Sequence, residues 1–131
     1  MANGVQGSRD EWARLEAPLI SIDPTLKAFA SRNGLTLGKN HKYPERSLKW
    51  GSPVSRLIQI FIASDEAPTF NLWLCASEDR GADRFWKNED LLESVTGGDL
   101  FDGLESRLVQ AYDVVESWKS EDLAFATHLR G

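Results

Sequence analysis

The groups in this 131-residue chain able to do covalent or proton-transfer chemistry near neutral pH are one thiol, Cys75, and two imidazoles, His41 and His128. His41 sits in a polar loop, KNHKYPE, among Lys39, Lys42 and Arg46, and His128 lies close to the last residue. Neither histidine stands at a metal-ligand spacing from another His, Cys or carboxylate pair, so no metal and no cofactor are expected. A His41–Cys75 nucleophile pair requires the loop to fold back over a strand. Cysteine in such a strand ordinarily behaves as a small buried hydrophobe. The carboxylates cluster as Asp65-Glu66, Glu78-Asp79, Asp83 and Glu89-Asp90, all in segments that read as turns or helix starts. Solvated acids and helix caps normally occupy such places, so the pattern does not single out an acid/base pair. Gly97-Gly98-Asp99 precedes a helix and offers backbone N–H groups to an anion. The lysine or serine that completes a phosphate loop is missing, and Asp99 reads as the helix cap.

Charge narrows the partners. The net charge is −5, with residues 1–56 carrying nine Lys/Arg against five Asp/Glu and residues 57–131 six against fifteen. An acidic total argues against nucleic acid as a partner. The basic stretch from Lys39 to Arg56, with Tyr43 and Trp50 interleaved, fits contact with an acidic protein better. The acidic second half fits an inhibitor-like role against a basic partner. No run approaches the roughly eighteen apolar residues of a membrane span. The opening segment, MANGVQGSRDEW, lacks the apolar core of a signal peptide. With a single cysteine, no internal disulfide can form. The expectation is a soluble, cytoplasmic protein with no membrane association.

The elements that must position these groups follow from periodicity. Composition (41% hydrophobic, 27% charged) is that of a globular protein, and the length fits one domain over 1–131. Residues 1–7 read as disordered. Ser8 to Glu11 has the spacing of a capping box, followed by a helix with Trp12, Leu15 and Leu19 on one stripe. Pro18 is expected to end or kink it, and Asp23-Pro24 to cap and restart a second helix that stops at Asn33-Gly34. Five strands follow, over 35–37, 46–50, 56–63, 69–77 and 84–87. A short helix is expected over 88–94, then a long one from about Leu100 to Lys119. The stripe of the long helix is Leu104, Leu108, Ala111, Val115 and Trp118. The tail from Ser120 onward reads as a last short helix or an arm. The fold class is therefore α+β: a five-strand antiparallel meander with N-terminal helices and a long C-terminal helix on one face.

Pairing Ile62 with Phe70, Ile60 with Leu72 and Ile58 with Leu74 puts all six on one side of the sheet. Pairing Trp50 with Arg56 adds Leu48, and pairing Ser77 with Arg84 sets Cys75 opposite Trp86. Face one then holds Leu35, Leu37, Leu48, Trp50, Ile58, Ile60, Ile62, Phe70, Leu72, Leu74, Ala76 and Phe85, all apolar. Face two holds Thr36, Ser47, Lys49, Leu57, Gln59, Phe61, Asn71, Trp73, Cys75, Arg84 and Trp86. Left bare, each of its large aromatics would expose up to ~150–250 Å². Three covers are open: the tail or the Trp12 helix, a second copy in a symmetric homodimer, or a small ligand or protein partner. The function expected is a non-enzymatic binding or interaction module. Trp73, Trp86 and Phe61 would be its anchors, with Gln59, Asn71, Lys49 and Arg84 setting orientation. The alternative is a small enzyme with a pocket on the same face that uses His41 or Cys75.

Overall fold

A computed structural model describes residues 2–40, 43–64 and 68–125, with the backbone alone for residues 2–13. Its elements run α1 (Ala2–Asn33), β1 (Thr36–Lys39), β2 (Glu45–Trp50), β3 (Ser55–Ser64), β4 (Thr69–Arg80), β5 (Asp83–Thr96), α2 (Gly97–Phe101), α3 (Leu104–Ser117), a 3-10 turn (Ser120–Asp122) and β6 (Ala124–Phe125). The strands form one antiparallel sheet in sequence order, a meander of six strands rather than five. The α+β class holds, with the helices in the N- and C-terminal regions.

The two expected N-terminal helices are one, because α1 passes through both Pro18 and Pro24. An interior proline removes a helix hydrogen bond and costs about 3 kcal/mol. Against that stands an unbroken buried stripe of Leu15, Leu19, Ile22, Leu26 and Phe29, spaced 4, 3, 4 and 3. The sheet together with α2 and α3 buries that stripe, and this tertiary gain overrides the local signal to stop. Asp23 caps nothing, since its carboxylate turns to the sheet instead.

The central register is the one that alternation predicts. Leu48 pairs with Ile58, Ile58 with Leu74, Ile60 with Leu72, Ile62 with Phe70 and Trp50 with Arg56. The β4–β5 hairpin is tighter than expected. Arg80 pairs with Asp83, and Gly81 supplies the positive φ of +68° that so short a turn requires. Ser77 therefore faces Trp86 rather than Arg84. A slip of two residues leaves the faces unchanged, so Trp86 stays on the side of Cys75.

Strand β5 also runs through 88–94, where a short helix was expected. Two register shifts, between Phe70 and Leu72 and between Leu72 and Trp73, insert extra residues on β5. They return Leu92 opposite Leu72 and Val95 opposite Phe70, both packed on the core. The resulting three-residue spacing imitates a helical turn in the sequence. Ser94 takes a positive φ of 50° there, and its N–H donates to Asn71 Oδ1 at 2.9 Å.

The single C-terminal helix is two. Gly103, at φ +67°, separates α2 from α3, and Thr96 rather than Asp99 is the first cap, accepting from the Asp99 N–H at 3.1 Å. The stripe Leu104, Leu108, Ala111 and Val115 is buried as predicted, and Trp118 is buried beyond the helix end. Arg56 closes that end by donating to the Val115 and Trp118 carbonyls at 3.1 and 2.7 Å. The tail becomes the 3-10 turn and β6, which pairs Phe125 with Phe85 and Ala124 with Trp86. Residues 126–131, with Leu129 and His128, lie outside the described residues, as does His41.

Face one and the helices share one hydrophobic core. Within it sits a charged cluster. Arg46, 1% exposed, shares the face of Leu48 and so points at α1. Its Nε and one terminal nitrogen donate to the two carboxylate oxygens of Asp23 at 2.7 and 3.2 Å. A terminal nitrogen also meets Glu16 Oε2 at 3.0 Å, and Lys39 Nζ stands 3.3 Å from Asp23. Burial by itself would raise the Asp23 pKa, but the Arg46 hydrogen bond and charge, helped by Lys39, hold it below the ordinary value.

Candidate functional site

Face two is built by the outward-pointing half of each strand. Across one register row run Thr36, Lys49, Leu57, Cys75 and Asn88, and across the next, Ser55, Ser77 and Trp86. These rows lie at the end of the sheet where the β2–β3 and β4–β5 turns close. They enclose an open depression of about 570 Å³. Leu57, Cys75, Ser55 and Ser77 lie at its middle strands, Trp73 and Trp86 rise on the β4–β5 side, and Thr36 and Lys49 on the β1–β2 side. Gly51, in the β2–β3 turn, forms part of the rim, and Arg84 stands toward the β4–β5 turn. Gly51 has φ +95°, and a Cβ there would come within 2.5 Å of the Val54 carbonyl oxygen. The turn that shapes this rim therefore requires glycine.

The two tryptophans pack edge to face, with centroids 6.3 Å apart at 70°. The Trp73 indole N–H donates to Asn88 Oδ1 at 3.2 Å. Its polar end is satisfied, which leaves ring surface toward the depression. Cys75 is 7% exposed. Burial pushes its thiol up to about 11, with Arg84 acting in the opposite direction. A thiol held protonated at neutral pH is a poor nucleophile. Arg84 is exposed and donates to Asp79 at 2.9 Å, which raises its already high pKa. The guanidinium of Arg56, another lining residue, is directed at the end of α3. Among the described residues, the depression is thus lined by the cations Lys49, Arg56 and Arg84 and by no carboxylate, in a chain of net charge −5.

Of the residues singled out from sequence, Trp73, Trp86, Lys49 and Arg84 come together around this depression. Gln59 is the cross-strand neighbour of Trp73 but is not part of the lining. Phe61 and Asn71 pair with each other one row further out. The Asn71 side chain serves the β5 bulge, through Ser94 and a long contact to Asp90 at 3.5 Å. Thr36, Ser55, Ser77 and Gly51 also line the depression without having been given a role. Alternation alone identifies the first three as face-two residues, but only the pairing of the strands brings them to one hollow.

The expected cover over face two is not a described element. The buried side chains of the three helices all join the core on face one, and β6 lies beside β5 rather than across the sheet. Leu123, from the segment expected to cross face two, is buried in that same core. The Trp12 side chain lies outside the described residues. Trp73, Trp86 and Phe61 are nevertheless half-buried, and the two tryptophans pack on each other. Their exposed area is therefore well below the sequence-based upper limit.

The alternative that uses His41 with Cys75 rests on a residue that lies outside the described ones. The β1–β2 loop joins β2 at Glu45, four residues from Lys49, the row-mate of Cys75. That is about 13 Å along the strand, at the opposite end of the sheet. Among the described residues, no group of three or more His, Cys, Asp or Glu could hold a metal ion, and no helix is long and apolar enough to cross a membrane. In comparison with known proteins, the chain matches no protein-family model, no curated protein and no solved structure.

Proposed function

We propose that this chain is a non-catalytic binding module whose working surface is face two, and that the depression there holds a small organic ligand. The observation that carries the reading is the division of labour between the two faces. Face one and the helices hold the buried core, while the opposite face keeps two tryptophans and a hollow of about 570 Å³ with no described helix packed on it. Ligand sites of this kind span about 300–1,000 Å³ and combine apolar walls with a few polar groups. Binding rather than turnover is favoured by the described lining, which offers cations, hydroxyls and a thiol that burial keeps protonated. Trp73 and Trp86 supply the apolar contact, and Lys49 acts on the orientation of what binds.

Native mass spectrometry of the protein purified gently from its own cells tests this. A single chain carrying additional small-molecule mass is the expected result. A doubled mass would replace the ligand with a second copy as the cover of face two. A bare single chain, unchanged after incubation with the small-molecule fraction of those cells, would overturn the reading.

A further inference from the structure

We infer that the ligand of this depression is an amphiphilic organic anion, with a flat apolar body against Leu57, Trp73 and Trp86 and its carboxylate, sulfonate or phosphate group at Lys49 and Thr36. The inference rests on the binding-module reading and adds the ligand's chemistry and orientation.

The walls are unequal, and the inequality gives the orientation. Lys49 is on β2 and Arg84 on β5, three strands apart, or about 14 Å at the usual strand spacing. A single anionic group therefore meets one of them. Arg84 already holds the Asp79 carboxylate at 2.9 Å, and Arg56 already holds two carbonyls of the α3 end. Lys49 has no ion-pair partner among the described residues, and its side chain is exposed. Its cross-strand neighbour on the same face is Thr36, whose exposed hydroxyl adds a hydrogen-bond donor next to the ammonium. Among the described lining residues no carboxylate opposes an anion there, and Cys75, protonated at neutral pH, adds no negative charge.

The body of the ligand follows from the other wall. An edge-to-face tryptophan pair presents one ring face and one ring edge, which suits a flat aromatic or alicyclic body. With the Trp73 N–H engaged by Asn88, the Trp73 ring asks for no hydrogen-bond acceptor on the ligand. Leu57, which separates Lys49 from Cys75 in the row, gives the body an apolar seat beside the cation.

Two dyes with the same aryl groups separate the parts of this inference: 8-anilinonaphthalene-1-sulfonate, which is anionic, and N-phenyl-1-naphthylamine, which is neutral. Affinities are read by dye fluorescence, and location by the indole N–H signals of Trp73 and Trp86 in nitrogen-15 correlation spectra, assigned with Trp73→Phe and Trp86→Phe. The expected result is that both dyes shift these two indoles and that the anionic dye binds about fivefold more tightly at low salt. Lys49→Gln should abolish that preference without altering the melting temperature, since Lys49 is exposed. Arg84→Gln should leave it intact. Equal affinities, or a preference that survives Lys49→Gln, would overturn the anion assignment while leaving the binding module standing. A preference lost in Arg84→Gln instead would overturn the orientation. If neither dye moves either indole, the binding-module reading and this inference fail together.

Discussion

Replacing Arg46 by methionine tests the charged cluster that ties α1 to the sheet. Methionine keeps most of the apolar stem and removes the guanidinium, which at present donates to both oxygens of Asp23, to the Glu45 carbonyl and to Glu16. The Asp23 carboxylate, 12% exposed, is then left with Lys39 at 3.3 Å as its remaining cation. Removing one member of a buried pair costs about 3–5 kcal/mol, because the other charge stays desolvated. Lys39, and the 19% exposure of Glu16, place the expected loss at the lower end, about 3 kcal/mol at pH 7. For a chain of this size that lowers the melting temperature by about 10 °C.

The pH dependence sharpens the test. In the native protein the folded pKa of Asp23 is depressed, so its contribution to stability is fully present above the unfolded value of about 3.9 and is lost as pH falls through the folded value. Without Arg46, desolvation is opposed by Lys39 alone, and the folded pKa moves up toward or past the unfolded one. The variant should therefore lose less stability on acidification, and the gap between the two proteins should narrow below about pH 4. Urea unfolding followed by tryptophan fluorescence at pH 7, 5, 4 and 3 measures both. A loss under about 1 kcal/mol at pH 7, or a gap independent of pH, would refute the reasoning and mean that the cluster behaves as a solvated surface pair.

Three further outcomes follow from single residues. Cys75 should resist iodoacetamide at pH 8 in the folded protein and react readily in urea, with the folded rate rising only as pH approaches about 11; fast alkylation at pH 8 would contradict its burial. Asn71→Ala removes the acceptor of the Ser94 N–H and should cost about 0.5–1.5 kcal/mol, with faster hydrogen exchange at Ser94 in particular. Gly51→Ala should cost more than about 1 kcal/mol in urea unfolding and weaken dye binding in the adjacent depression, because both the positive φ and the 2.5 Å approach to the Val54 oxygen oppose a side chain.

Much of the sheet was legible before any coordinates. Alternation along Leu57–Ile62 and Phe70–Cys75 admits one register that places the large apolar residues on a shared side, and a slip by one residue would invert every side chain. For the same reason a slip by two, as in the β4–β5 hairpin, left the face-two membership of Trp86 correct although its partner was wrong. Trp73, Trp86, Lys49 and Arg84 were assigned to one face by parity alone, and the depression gathers them.

What sequence by itself determined was therefore the set of period-two and helical stripes: which side chains share a face of a strand or helix, and the antiparallel α+β layout that buries them. Tertiary structure alone decided the rest. Burial of a continuous stripe carried α1 through Pro18 and Pro24, two bulges made β5 out of a helix-like spacing, and β6 joined the edge of the sheet. Arg46, one of five cations in an ordinary-looking basic stretch, became a buried tie because Asp23 lies across from it on α1. Local periodicity records only which neighbours along the chain share a face. Proline tolerance, bulges, buried charge and a hollow across five strands depend on atoms supplied by residues distant in sequence.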